Sequence, residues 1–128
     1  MAKTILIVED EPSNRKLFCE LLQRVGYETI EAIDGEQGVE LARVRNPDLI
    51  LMDIKMPKMD GIEATRILKA DTATNNIPIL AITANAMKGD RERTLEAGFD
   101  GYIAKPVDIQ ELITTVAHFL KYRGTELV

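Results

Sequence analysis

Leu49-Ile50-Leu51-Met52-Asp53 is a short apolar run that ends in a carboxylate, and Ile54-Lys55-Met56-Pro57 follows it directly. A carboxylate at the end of a hydrophobic strand is poorly solvated unless something compensates it. Three further runs end in the same manner. Thr4-Ile5-Leu6-Ile7-Val8 leads into Glu9-Asp10, Ile79-Leu80-Ala81-Ile82 into Thr83, and Gly101-Tyr102-Ile103-Ala104 into Lys105-Pro106. Strand-like segments that each finish in a chemically useful group imply one composite site.

Between these runs the periodicity changes to that of helices. Pro12 suits a first helical turn, where its missing N–H would be unpaired anyway. Leu17, Phe18, Leu21, Leu22 and Val25 then fall on one helical face, and Gly26 is a stop. Residues 27–32 alternate and are more polar, as in an edge strand. A second helix runs from Gly35 to about Arg45 and is closed by Asn46-Pro47. Asp60 is an N-cap for a third helix carrying Ala64, Ile67 and Leu68 on one side. Residues 88–97 are helical but poor in large apolar side chains, so this helix is expected to move most readily. Asp108 caps the last helix, with Ile109, Leu112, Ile113, Val116, Ala117 and Leu120 as its stripe.

Five βα repeats with short connections predict an α/β fold: a doubly wound parallel sheet with helices on both faces. The first and third runs are the most apolar and the second reads as an edge, which gives the order 2-1-3-4-5. In such folds the site lies beyond the carboxyl ends of the strands, at the switch point. Glu9-Asp10, Asp53, Thr83 and Lys105 all fall there.

The chain has 128 residues and reads as one domain, residues 1–128. A net charge of −5 argues against a nucleic-acid-binding face, and no segment approaches membrane-spanning length. Cys19 is the sole cysteine, so no internal disulfide forms, which is compatible with a reducing cytoplasm. The Met1 start, without a signal-peptide core, and the short tail lead us to expect a stand-alone cytoplasmic protein, a monomer or weak homodimer.

Glu9, Asp10 and Asp53 as neighbours would repel one another, and burial would raise their pKa values unless a cation were present. Mg²⁺ resolves this conflict, because it prefers oxygen ligands and retains waters and a phosphate oxygen in its shell. Asp10 and Asp53 are expected as direct ligands, with Glu9 holding a bound water. The plainer reading of Glu9-Asp10-Glu11 is a solvated turn with an acidic helix start. As a nucleophile, Asp53 would attack phosphorus and form an aspartyl phosphate. Such transfer depends on position and positive charge, which Mg²⁺ and Lys105 would supply. Thr83 offers a hydroxyl to a phosphate oxygen, or is simply a β-branched strand-end residue. Pro106 is a cis-proline candidate that would fix the direction of Lys105. Tyr102 is either an aromatic packed on the sheet edge or a ring that swings inward when Thr83 moves. His118 lies on the last helix, away from the strand ends, so another protein must be the phosphodonor.

The set Glu9-Asp10, Asp53, Thr83-Ala84 and Lys105-Pro106, at these spacings, resembles the receiver domain of bacterial two-component response regulators, from Thr4 to about Tyr122. That resemblance implies the flavodoxin-like (βα)5 fold; a chemotaxis receiver is a standard example of this strand order. It also implies that a histidine kinase or histidine phosphotransfer protein presents phosphohistidine to Asp53. Glu9 and Asp10 match the acid pair, and the backbone carbonyl of Lys55 matches the remaining metal ligand. Thr83 and Tyr102 match the switch pair, and Lys105 the phosphate-sensing lysine. Ala84 matches the small residue that leaves room for the phosphate, while Lys55 and Asn85 occupy positions that tune its loss. The face of helix 88–97, strand 101–104 and the last helix would carry the output to a downstream protein target, and the first helix would dock the donor. Asn85-Ala86-Met87-Lys88-Gly89-Asp90 is similar to receivers of phosphorelays and of DivK-type cell-cycle regulators.

Other classes fit less well. The receiver of a hybrid histidine kinase would share the same residues. A haloacid-dehalogenase-like phosphatase would need a second acid two residues after Asp53, where Lys55 stands. A flavin-binding relative would need a phosphate cradle where Glu9-Asp10-Glu11 would repel phosphate.

Overall fold

A computed structural model describes residues 2–83 and 88–122. Its elements alternate strictly: β1 (Thr4–Val8), α1 (Pro12–Arg24), β2 (Glu28–Ala32), α2 (Gly35–Arg45), β3 (Leu49–Asp53), α3 (Gly61–Ala70), β4 (Ile79–Thr83), α4 (Lys88–Ala97), β5 (Gly101–Ala104) and α5 (Ile109–Tyr122). The strands form one parallel sheet in the order β2-β1-β3-β4-β5. The expected doubly wound, flavodoxin-like α/β fold is therefore the observed one.

Period-two alternation in the apolar strands divides the core into two layers. Ile5, Ile7, Leu49, Leu51, Leu80 and Ile82 face Phe18, Cys19 and Leu22 of α1 and Leu112, Val116 and Leu120 of α5. Leu6, Val8, Ile50, Met52 and Ala81 face α2, α3 and Ala97 of α4. Edge strand β2 is mixed in burial, as its polar alternation requires.

The helix ends follow local chemistry. Glu11 caps α1 by accepting from Asn14 N, with Pro12 in the first turn, and Gly26 beyond the helix has φ +102°. Asn46 ends α2 in the left-handed region, φ 47°. Asp60 caps α3 through Glu63 N, and Asp108 caps α5 through Glu111 N at 3.0 Å. Two helical faces differ from the expected stripes. On α1, Leu17 and Val25 are exposed, and Cys19 packs inward beside Phe18 and Leu22. On α5, Ile109 and Ala117 face solvent, while Phe119 joins the core partly. A helix lying on a twisted sheet needs only a narrow seam of inward positions, so the flanks of a wide apolar stripe stay wet.

Candidate phosphoacceptor and cation site

Strand register brings the site together. Val8 pairs with Met52, so Glu9 and Asp53 are the next residues on adjacent strands. Asp53 pairs with Ile82, so Thr83 lies one step further along β4; Thr83 pairs with Ala104, so Lys105 follows at the end of β5. Two backbone bonds extend this staircase past the sheet: Ile54 N donates to Ile82 O at 3.2 Å, and Lys105 N to Thr83 O at 2.7 Å. The four groups picked out in the sequence therefore share one rim.

One carboxylate oxygen from each of Glu9, Asp10 and Asp53 lies within 4.8 Å of the others. Glu9 and Asp53 are buried, at 1% and 6% exposure, and Asp10 is the most open of the three. Lys105 Nζ stands 3.6 Å from Glu9 Oε1 and 3.6 Å from Asp53 Oδ1, a charge contact too long for a hydrogen bond. Glu9 Oε2 accepts from Glu11 N at 3.1 Å, whereas buried Glu9 Oε1 has no hydrogen-bond partner. Burial pushes the Glu9 pKa up to about 7, opposed by the Glu11 N–H and Lys105 and reinforced by the charge of Asp53. When protonated, Glu9 would itself become a donor toward Asp53.

An orphaned buried carboxylate oxygen beside two more carboxylates is a donor set suited to a hard dication. Mg²⁺ would neutralise the cluster and satisfy that oxygen, so the residues present fit the ion.

The rest of the site is built around these groups. Gly61, the first residue of α3, donates its N–H to Ile54 O at 2.8 Å and rests against the Asp53 backbone. A hollow of about 390 Å³ is lined by Lys55, Asp60, Ile62, Thr83 and Thr94 among others. The Lys55 side chain is exposed, and Tyr102 is half-buried against the layer that contains α3 and α4. The Lys105–Pro106 peptide bond is cis. His118 is exposed on α5, edge-to-face with Phe119. Ala84 and Asn85 lie outside the described residues.

Sequence reasoning missed two contributors. Arg15 Nη1 donates to Glu9 O at 2.8 Å, and its Nε to Glu31 Oε1 at 3.2 Å. On an amphipathic helix Arg15 reads as solvent-facing, and only the fold of its side chain reveals the contact. Gly61 did leave a signal, since a glycine directly after an N-cap aspartate marks a helix start pressed against other backbone.

The sequence profile of the response regulator receiver domain matches residues 5–117. The chain belongs to this family. The receiver is 46% identical over 120 residues to the polar-differentiation response regulator DivK of Brucella ovis, covering 94% of this chain and 98% of the relative. Among solved structures it resembles the receiver domain of sensor histidine kinase PA1611 from Pseudomonas aeruginosa, with a TM-score of 0.88 and 39% identity over 94% of this chain and 99% of that one. A magnesium ion is coordinated in the active-site cleft of that structure. Vibrio cholerae chemotaxis protein CheY4 is similar at a TM-score of 0.88 and 27% identity, over 93% of this chain and 99% of that one. Among the described residues no helix of the receiver is long and apolar enough to cross a membrane.

Proposed function

We propose that this receiver is a stand-alone phosphorelay switch of the DivK type, in which Asp53 accepts a phosphoryl group. The observation that carries the reading is the convergence of Glu9, Asp10 and Asp53 oxygens within 4.8 Å, with Lys105 Nζ 3.6 Å from Asp53. The donor is a phosphohistidine on a histidine kinase or phosphotransfer protein. An Asp53 oxygen attacks phosphorus, the P–N bond breaks, and its electron pair returns to the imidazole nitrogen of the donor. Mg²⁺, held by Asp10, Asp53 and the Lys55 carbonyl with Glu9 behind a water, would offset the charge gathering on the phosphoryl oxygens. Lys105 pairs with Asp53 before transfer and turns to a phosphoryl oxygen afterwards. Thr83 then donates its hydroxyl to that group, and Tyr102 follows into the layer it already half occupies. Ala84 leaves room for the phosphoryl group, and Lys55 and Asn85 set how long it survives.

The output is a protein contact on the face of α4, β5 and α5, with the donor docking near α1. The protein works in the cytoplasm without direct nucleic-acid binding, as a monomer or weak homodimer. The 46% identity with the DivK relative favours the DivK-type reading. The likeness to a receiver that is part of a sensor histidine kinase favours, as a second reading, the receiver of a hybrid kinase. Lys55, two residues beyond Asp53, disfavours general phosphoester turnover, which would want an acid there.

Acetyl phosphate with Mg²⁺ is expected to add one phosphoryl group, seen by intact mass, and Asp53→Asn to abolish the addition. Incorporation undiminished in the variant would place the acceptor elsewhere.

A further inference from the structure

We propose that Arg15 is a positioning residue for the cation site, acting through the peptide that joins Glu9 to Asp10. The role rests on the reading of Glu9, Asp10 and Asp53 as that site. An arginine on the outer part of an amphipathic helix ordinarily extends its head into water. Arg15 instead folds back, with its side chain only 16% exposed. Its Nη1 donates to Glu9 O at 2.8 Å, a charge-assisted bond of good length, and its Nε pairs with Glu31 Oε1 on β2 at 3.2 Å.

The consequence lies in the backbone. The Glu9 carbonyl and the Asp10 N–H belong to one rigid peptide plane, so holding the oxygen sets the orientation from which the Asp10 carboxylate hangs. Around that plane the acidic turn is fixed at two more points: Glu9 N donates to Ala32 O at 3.1 Å, and Glu11 N to Glu9 Oε2 at 3.1 Å. Asp10, the most exposed of the three acids, sits between these ties. Arg15 thus straps the turn to edge strand β2, with Glu31 as the outer anchor.

Charge and position predict opposite signs for its removal. If Arg15 acted only as a nearby cation, deleting it would tighten binding of a dication, because like charges repel. If it positions the turn, deleting it weakens binding; loss of a group that orients metal ligands typically costs tenfold or more. The chain contains no Trp, so Mg²⁺ titrations are best followed by amide NMR signals. Arg15→Met is expected to bind Mg²⁺ about tenfold more weakly than wild type. Arg15→Lys keeps the charge but cannot make both contacts at once, and should fall between the two. Glu31→Gln, which weakens only a half-exposed ion pair, should lose about two- to threefold, and the Asp10 amide signal should move in the Mg²⁺-free Arg15 variants. Affinity of Arg15→Met equal to or tighter than wild type overturns the proposal and leaves the cation site standing. Should Arg15→Met not fold, wild-type affinity in both Arg15→Lys and Glu31→Gln overturns it equally. A wild-type protein that binds no Mg²⁺ removes the site itself, and the proposal with it.

Discussion

Gly61→Ala is expected to destabilise the receiver by about 3 kcal/mol and to cut phosphoryl acceptance by Asp53 about a hundredfold. A Cβ at this position would lie 2.2 Å from Asp53 O, 3.0 Å from its carbonyl carbon and 2.9 Å from Ile54 Cα. All three are backbone atoms, so no flexible side chain can yield. The start of α3 must withdraw, or the end of β3 must shift, and the reactive carboxylate moves with it. Gly26→Ala is the control. Its φ is +102° but nothing lies within 4 Å of the added carbon, so only the conformational cost of about 1 kcal/mol applies, far from the acids. Urea unfolding and intact-mass phosphorylation of both variants check the pair. A Gly61→Ala protein as stable and as reactive as wild type would mean that α3 is not docked on the Asp53 backbone.

Mg²⁺ is expected to stabilise the receiver much more at pH 8 than at pH 6, and Glu9→Gln to erase most of that difference. Glu9 is held at about 7 in the fold against an ordinary 4.5, chiefly by burial. Between these values the folded protein keeps a proton that the unfolded chain has released. Stability of the cation-free protein therefore falls as pH rises through this window, by on the order of 3 kcal/mol in total. Below 4.5 the carboxyl is protonated in both states and the penalty is absent. A cation needs the charged carboxylate, so its binding displaces the proton, and affinity drops about tenfold for each pH unit below 7. Glu9→Gln keeps the shape without the buried charge. It should make the cation-free protein more stable at pH 8 and leave Mg²⁺ binding weaker and nearly flat with pH. Thermal unfolding with and without Mg²⁺ at the two pH values measures this directly. Equal Mg²⁺-induced shifts at pH 6 and 8 in wild type would show that Glu9 carries no proton there.

Much of this site could be read in the sequence because parallel strands advertise themselves. β1, β3 and β4 are buried on both faces and read as unbroken apolar runs, and the polar residue that ends each run lies on the rim by geometry alone. Glu9, Asp53 and Thr83 were visible for that reason, and Lys105 because it ends the shorter, partly buried run of β5. Contacts made by folding back across the chain were not. The partnership of Arg15 with the Glu9 carbonyl depends on side-chain direction, which periodicity does not encode. The same holds for Asp100, whose Oδ2 accepts from both Ile79 N and Lys69 Nζ beneath the sheet. Helical faces were legible only at their centres. Leu22 and Val116 are fully buried, whereas Leu17 and Ile109, at the margins of the same stripes, are about half exposed.

In the proposed function, acids from separate strand ends hold one cation beside Asp53. A single Mg²⁺ titration of the wild-type protein, followed at the amides of Asp10 and Asp53, tests it most directly. Both signals are expected to move together and report one dissociation constant, although the residues come from β3 and the turn after β1. Movement confined to one of these loops, or two clearly different affinities, would contradict it.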